Sequence, residues 1–185
     1  MLLACWILVT LVGLGSLSLS HMVAMPKPDP TEQLARALLD LRRDPRREFL
    51  VHVIYADCSC TERLFTHLLE RGPFAHAEEI ILFAGEDPAK QRSARRAGFE
   101  FLSISPALLV ERYLLEAAPV LVAFDAAGRL NYLGGYFAHP AAIAPLDERL
   151  HRDLMRGGSP DPLPVFGCAV STRLQKAVDP LGVLY

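Results

Sequence analysis

The stretch Phe49 to Cys60, FLVHVIYADCSC, decides the fold. Its first part, Phe49–Tyr55, is short, apolar apart from His52, and partly β-branched, which predicts a buried strand. Beyond Cys60 the period changes. Leu64, Phe65, Leu68 and Leu69 recur on one face, so the spacing predicts a helix over Cys60–Arg71. Cys58 and Cys60, separated only by Ser59, therefore stand where a strand hands over to a helix. A helix N-terminus presents unpaired backbone N–H groups and partial positive charge, which favour a thiolate and lower its pKa. The carboxyl end of a parallel strand is also where the ligand sites of such sheets gather.

Working outward, the chain alternates regularly. Glu79–Ala84 reads as a second strand, followed by a helix that Pro88 starts and Gly98 ends. Arg92, Arg95 and Arg96 form a solvated face of that helix. Phe99–Ile104 is a short strand, Pro106–Ala117 a helix, and Pro119–Phe124 a further strand. Asp125-Ala-Ala-Gly128 is a hairpin turn, from which Arg129–Tyr136 returns. Ile143, Leu146, Leu150 and Leu154 stripe a last helix of the domain. Strands joined by helices must run largely parallel, whereas a four-residue turn joins antiparallel neighbours. The expected fold is an α/β mixed sheet with helices on both faces.

The ends differ from this body. Leu2 to Leu19 carries no charged side chain, and roughly 27 Å of helix would result, enough to cross a hydrocarbon core. Residues 1–21 are therefore read as an apolar N-terminal helix, a signal peptide or membrane anchor. Ser18 and Ser20 suit signal-peptidase cleavage before His21. Lys27 and Arg36 follow the apolar run and no basic residue precedes it, which by the positive-inside rule favours a cytoplasmic domain. Export is nevertheless the reading adopted, with the domain on the extracytoplasmic face of the inner membrane or in the periplasm. Cys5 is an apolar residue of this segment, too near the start to be a lipoprotein cysteine. Pro26, Pro28 and Pro30 stiffen a linker over 22–30. Asp29 is expected to cap a helix that starts at Pro30 and carries Leu34, Leu38 and Leu41 on one face. Residues 31–156 form the main domain. Residues 157–185 are a C-terminal extension that opens with the breaker-rich loop Gly157–Pro164, carries Cys168, and holds a short helix near Ser171–Val178.

Composition excludes several classes. The chain has 185 residues, 51% of them hydrophobic, and a formal net charge of -2. A disordered chain needs lower hydrophobicity and higher net charge. A balance of 19 basic against 21 acidic residues gives no overall positive field, so no nucleic-acid partner is expected. Four cysteines are too few for a disulfide-stapled miniprotein.

The strand ending Tyr55-Ala56-Asp57, the cysteine pair opening a helix, Ala118-Pro119 before a later strand, and the hairpin Val120–Phe124, Asp125–Gly128, Leu130–Gly135 together resemble the thioredoxin superfamily. The resemblance covers Phe49 to Met155. It implies a thioredoxin-like fold in which Pro119 is cis and lies beside the cysteines, with Ala118 and Pro119 in the substrate groove. It also implies thiol–disulfide exchange: a thiolate attacks the disulfide of a partner protein, and a second sulfur resolves the mixed disulfide. The common family motif has two residues between its cysteines, and here there is one. A Cys-x-Cys disulfide closes a very small, strained ring, which is easily reduced. The same spacing allows one sulfur to pair with Cys168 instead. Cys58 is read as the nucleophile because it lies nearer the strand end and is expected to be the better exposed.

The leading expectation is a membrane-associated thiol–disulfide oxidoreductase using Cys58, Cys60 and Cys168, without a cofactor. The alternative is a copper-binding metallochaperone of the same fold for respiratory enzyme assembly, since closely spaced thiolates suit Cu(I). The copper chaperones of this fold space their cysteines by three and add a later histidine, and only His139 is loosely comparable. A thiol peroxidase would place a threonine ahead of its cysteine, and Thr61 follows the pair. His52 reads as a packed core histidine, His67 as a surface one, and His139 as a loop residue. Asp57 either tunes the neighbouring thiol or caps the helix.

Overall fold

The computed structural model describes residues 24–58, 60–142 and 144–182, together with residues 6, 7 and 10. The expected apolar helix from Leu2 to Leu19 therefore lies almost wholly outside the described residues, as do Ser59 and Ile143. Among the described residues, no helix is long and apolar enough to cross a membrane.

The body follows the alternation read from the sequence. In chain order the elements are α1 (Glu32–Leu39), β1 (Glu48–Tyr55), α2 (Cys60–Arg71), β2 (Ala77–Ala84), α3 (Pro88–Arg96), β3 (Glu100–Ile104) and α4 (Pro106–Tyr113). There follow β4 (Ala117–Ala118), β5 (Val120–Phe124), β6 (Leu130–Gly134), α5 (Asp147–Met155), β7 (Cys168–Ala169) and α6 (Thr172–Val178). A five-stranded sheet runs in the order β3-β2-β1-β5-β6. β1 is central, parallel to β2 and antiparallel to β5. Residue Asp125 closes the β5–β6 hairpin, its N–H donating to Arg129 O at 3.0 Å. Gly128 supplies the φ of +78° that the turn needs.

Side chains alternate across β1, and so do the two apolar layers. Phe49, Val51 and Val53 meet α1, α4 and α6 through Leu38, Leu109 and Leu174. Leu50 and Ile54 meet α2, α3 and α5 through Leu64, Ala94 and Leu150. Each fully buried Leu or Phe contributes about 1.5–3 kcal/mol of transfer free energy, so the two layers fix β1 from both sides. That holds its carboxyl end, where the cysteines begin, in one place.

Two expectations are corrected. Helix α1 is capped by Thr31 rather than Asp29, its hydroxyl accepting from Leu34 N–H at 3.1 Å. Helix α4 stops at Tyr113 instead of reaching Ala117, because Leu114 turns left-handed at φ +55°. The residues released this way become β4. The proline-spaced segment is fastened near its start, where Met25 is buried and its N–H donates to Val165 O at 2.8 Å.

Candidate thiol site

β1 ends at Tyr55, and the chain turns at once. Cys58 N–H donates to Tyr55 O at 3.3 Å, and Thr61 N–H donates to Cys58 O at 3.0 Å. The Thr61 hydroxyl, itself buried, reaches back to Tyr55 O at 2.5 Å. These three bonds tie the cysteine turn to the strand end. Cys60 is the first residue of α2.

Cys58 points inward. It is 4% exposed, packed with the layer that holds Tyr55, Ala118 and Val120. Its Sγ donates to Ala118 O at 3.8 Å. The Ala118–Pro119 peptide bond is cis. Cys60 and Cys168 are partly exposed. The order of exposure is thus the reverse of that expected. Cys58 is the sealed sulfur because it precedes the first helical turn and falls into the apolar layer, whereas Cys60 rides on the helix start.

Cys168 reaches the site from the C-terminal extension. β7 pairs antiparallel with β4, Ala117 against Ala169 and Ala118 against Cys168. Val170 N–H continues the pairing to Glu116 O at 2.7 Å. Gly167 lies so close to β4 that a Cβ there would sit 1.9 Å from Ala118 O and 2.6 Å from Pro119 Cδ. Only a residue without a side chain admits this approach.

The electrostatics also depart from expectation. The Cys58 thiol is pushed up, not down, by hydrogen bonding with Cys168, then with Cys60, and by burial. A thiol buried in apolar surroundings is harder to ionise, and Cys58 lies within the apolar layer. Tyr55 was not singled out in the sequence. Its hydroxyl is raised by burial and by Asp57, with smaller contributions from the Cys168 and Cys58 sulfurs, so it borders the same cluster. Asp57 itself is exposed. Among the described residues, no group of three or more His, Cys, Asp or Glu side chains is gathered as a metal site.

A second polar cluster lies under α2, on the opposite face of β1. His52 Nε2 is 2.7 Å from Glu79 Oε2, and its Nδ1 is 2.8 Å from the Tyr136 hydroxyl. Arg71 donates to Glu79 Oε2 and to Asp147 Oδ2, each at 2.7 Å. His67 Nε2 lies 2.7 Å from Asp147 Oδ1. His52 is therefore a core histidine as expected, while His67 is not a plain surface one. Glu79, Arg71, Asp147 and Tyr136 escaped the sequence reading. The available signal was one ionisable residue inside each of two neighbouring apolar strands, His52 and Glu79. His139 is exposed in its loop.

The central β1 flanked by parallel β2 and antiparallel β5, with a cis proline facing a cysteine at the strand's end, reproduces the arrangement that the sequence resemblance implied. The fold is thioredoxin-like. No protein-family model matches the chain, and no curated protein matches its sequence. Solved structures do. A hypothetical protein from Sinorhizobium meliloti shares 18% identity over 69% of this chain and 80% of its own, with a TM-score of 0.55. An uncharacterized conserved protein from Geobacillus kaustophilus shares 16% over 68% of this chain and 77% of its own, with a TM-score of 0.52. The chain is also similar to a thioredoxin-like protein solved in its oxidized form, at 16% identity, 72% and 97% coverage and a TM-score of 0.47. In this thioredoxin-like body the cysteine turn, β4 and β7 converge at the carboxyl end of the central strand.

Proposed function

We propose that the protein is a thiol–disulfide oxidoreductase acting on protein disulfides through Cys58, Cys60 and Cys168, beside Ala118 and Pro119. The observation that carries this reading is the gathering of three thiols from two distant parts of the chain against one cis-proline peptide. A thiolate of the cluster attacks a partner's disulfide sulfur, one partner thiol departs, and a neighbouring sulfur displaces the second. No step of this chemistry requires a cofactor. Tyr55 borders the sulfurs, its hydroxyl paired with Asp57.

The uncharged run Leu2–Leu19 supports routing to, or tethering at, a membrane, with the domain on the extracytoplasmic side. Disulfide exchange is in demand in that compartment.

The test uses the full chain in mild detergent. Reduction of a disulfide-bonded peptide by dithiothreitol is followed with and without the protein, alongside Cys58→Ser, Cys60→Ser and Cys168→Ser. Catalysed reduction that the cysteine variants lose is the expected result. Tight stoichiometric Cu(I) binding without any disulfide turnover would overturn the reading in favour of a metal-carrying module.

A further inference from the structure

We propose that the working redox couple is Cys58 with Cys168, and that Cys60 is the thiol that meets the partner. This rests on the exchange reading above and specifies how its three sulfurs divide the work.

The argument begins with access. Cys58 is 4% exposed, so an external disulfide cannot align with its sulfur. Cys60 sits partly exposed at the start of a twelve-residue helix, at the edge of the apolar layer that seals Cys58. The sulfur that a partner reaches and the sulfur at the centre of the cluster are therefore different atoms.

The second step is the fixed position of Cys168. Its strand is bound into the body from both ends: Met25 pairs with Val165 on one side, and Val170 with Glu116 on the other. Arg173 clamps Glu116 through Nη2 to Oε2 at 2.6 Å. Val165 and Ala169 are wholly buried. Between these fasteners Gly167 lets the backbone close onto Ala118 O, the same carbonyl that Cys58 Sγ touches. The register opposite Ala118 then belongs to Cys168. The edge of β4 is filled by the chain's own strand, which delivers a cysteine to Cys58.

The third step is ring strain. A bond between Cys58 and Cys60 closes a ring over one intervening residue, whereas Cys58 and Cys168 meet across facing segments, as unstrained disulfides do. The exchange then balances as follows. The Cys60 thiolate attacks a partner disulfide, forming a mixed disulfide and releasing one partner thiol. Cys58 attacks Cys60 Sγ, releasing the second partner thiol, which takes the Cys58 proton. Cys168 attacks Cys58 Sγ, and Cys60 leaves and takes the Cys168 proton. The partner disulfide is reduced to two thiols, and Cys58 and Cys168 are oxidised to one disulfide.

The reduced full-length protein is treated with one equivalent of glutathione disulfide, alkylated, digested with trypsin and mapped by mass spectrometry. The expected product joins the fragment holding Cys58 and Cys60 to the fragment holding Cys168, with loss of two alkylatable thiols. Cys60→Ser retains that cross-link but forms it roughly tenfold more slowly or worse. Cys168→Ser accumulates glutathione on Cys60 or the short Cys58–Cys60 loop. A wild-type product confined to Cys58–Cys60, with Cys168 still alkylated, overturns the proposal. So does a Cys60–Cys168 bond as the stable product. If the cross-link forms as expected while peptide-disulfide turnover is absent, the catalytic reading fails and the couple stands.

Discussion

Arg71 holds Glu79 and Asp147 together from the last turn of α2, donating to both carboxylates at 2.7 Å within the apolar layer under the sheet. Both carboxylate side chains are wholly buried, and Arg71 is nearly so. Removing one member of a buried ionic cluster leaves its partners charged without compensation, which costs about 3–5 kcal/mol. Arg71→Met is accordingly expected to lower stability by about that amount in urea titrations. Arg173→Met, at a solvent-screened exposed pair, is expected to cost far less. Equal losses at the two positions would contradict the buried character of the cluster.

Glu79 gives this cluster an acid limit. Burial alone would raise its pKa, but His52 and Arg71 outweigh burial and hold it at about 2, below its ordinary 4.5. A carboxylate depressed in the folded state stabilises the protein fully above about pH 4.5. That contribution drains away as pH falls toward 2. The difference corresponds to about 3 kcal/mol at most. Urea midpoints measured at pH 6, 4 and 2.5 should fall steeply over the last interval, and Glu79→Gln should flatten that fall from a lower starting stability. A wild-type profile as flat as the variant's would refute the assignment.

The thiols should separate in an alkylation experiment. Cys58 is buried and its pKa is raised by the neighbouring thiols and by burial, and only the thiolate reacts. Native protein exposed briefly to iodoacetamide at neutral pH should be modified at Cys60 and Cys168 well before Cys58. Fragment-ion assignment reads the order directly. Cys58 reacting first would contradict the buried position.

Gly167 is expected to tolerate no side chain. A methyl group there would meet Ala118 O at 1.9 Å, against backbone that cannot give way easily. Overpacking of this kind costs about 1–3 kcal/mol. Gly167→Ala should show that loss in thermal unfolding, with a reduced yield of the Cys58–Cys168 cross-link. Gly157→Ala, with nothing near its Cβ but φ at +75°, should leave the cross-link intact.

Most of the body was legible because each element carries its own local signal. Phe49–Tyr55, Cys60–Arg71 and Val120–Phe124 were readable from apolar runs, a change of period and a turn, and they appear within a residue or two. The end of α4 was not, since Leu114 adopts a left-handed conformation that no glycine announces. The presence of Cys168 at the site was an open alternative, but its register opposite Ala118 depends on a pairing fifty residues apart. The inversion of exposure at Cys58 and Cys60 had no local signal either. One residue of spacing places one sulfur in the apolar layer and the other on the helix, and tertiary packing decides which. The cluster around Arg71 was hidden for a related reason: Arg71 and Asp147 each look like surface residues alone and lose their exposure only when α5 meets α2.

The bridge between Met25 and Val165 has a mechanical consequence. Val165 precedes Cys168 by three residues, about 10 Å of extended chain. Whatever grips the polypeptide upstream of Met25 is therefore coupled by a hydrogen-bonded stitch to the strand that seats one of the three sulfurs. Tension applied at that end is delivered next to the thiol cluster before it reaches the main sheet.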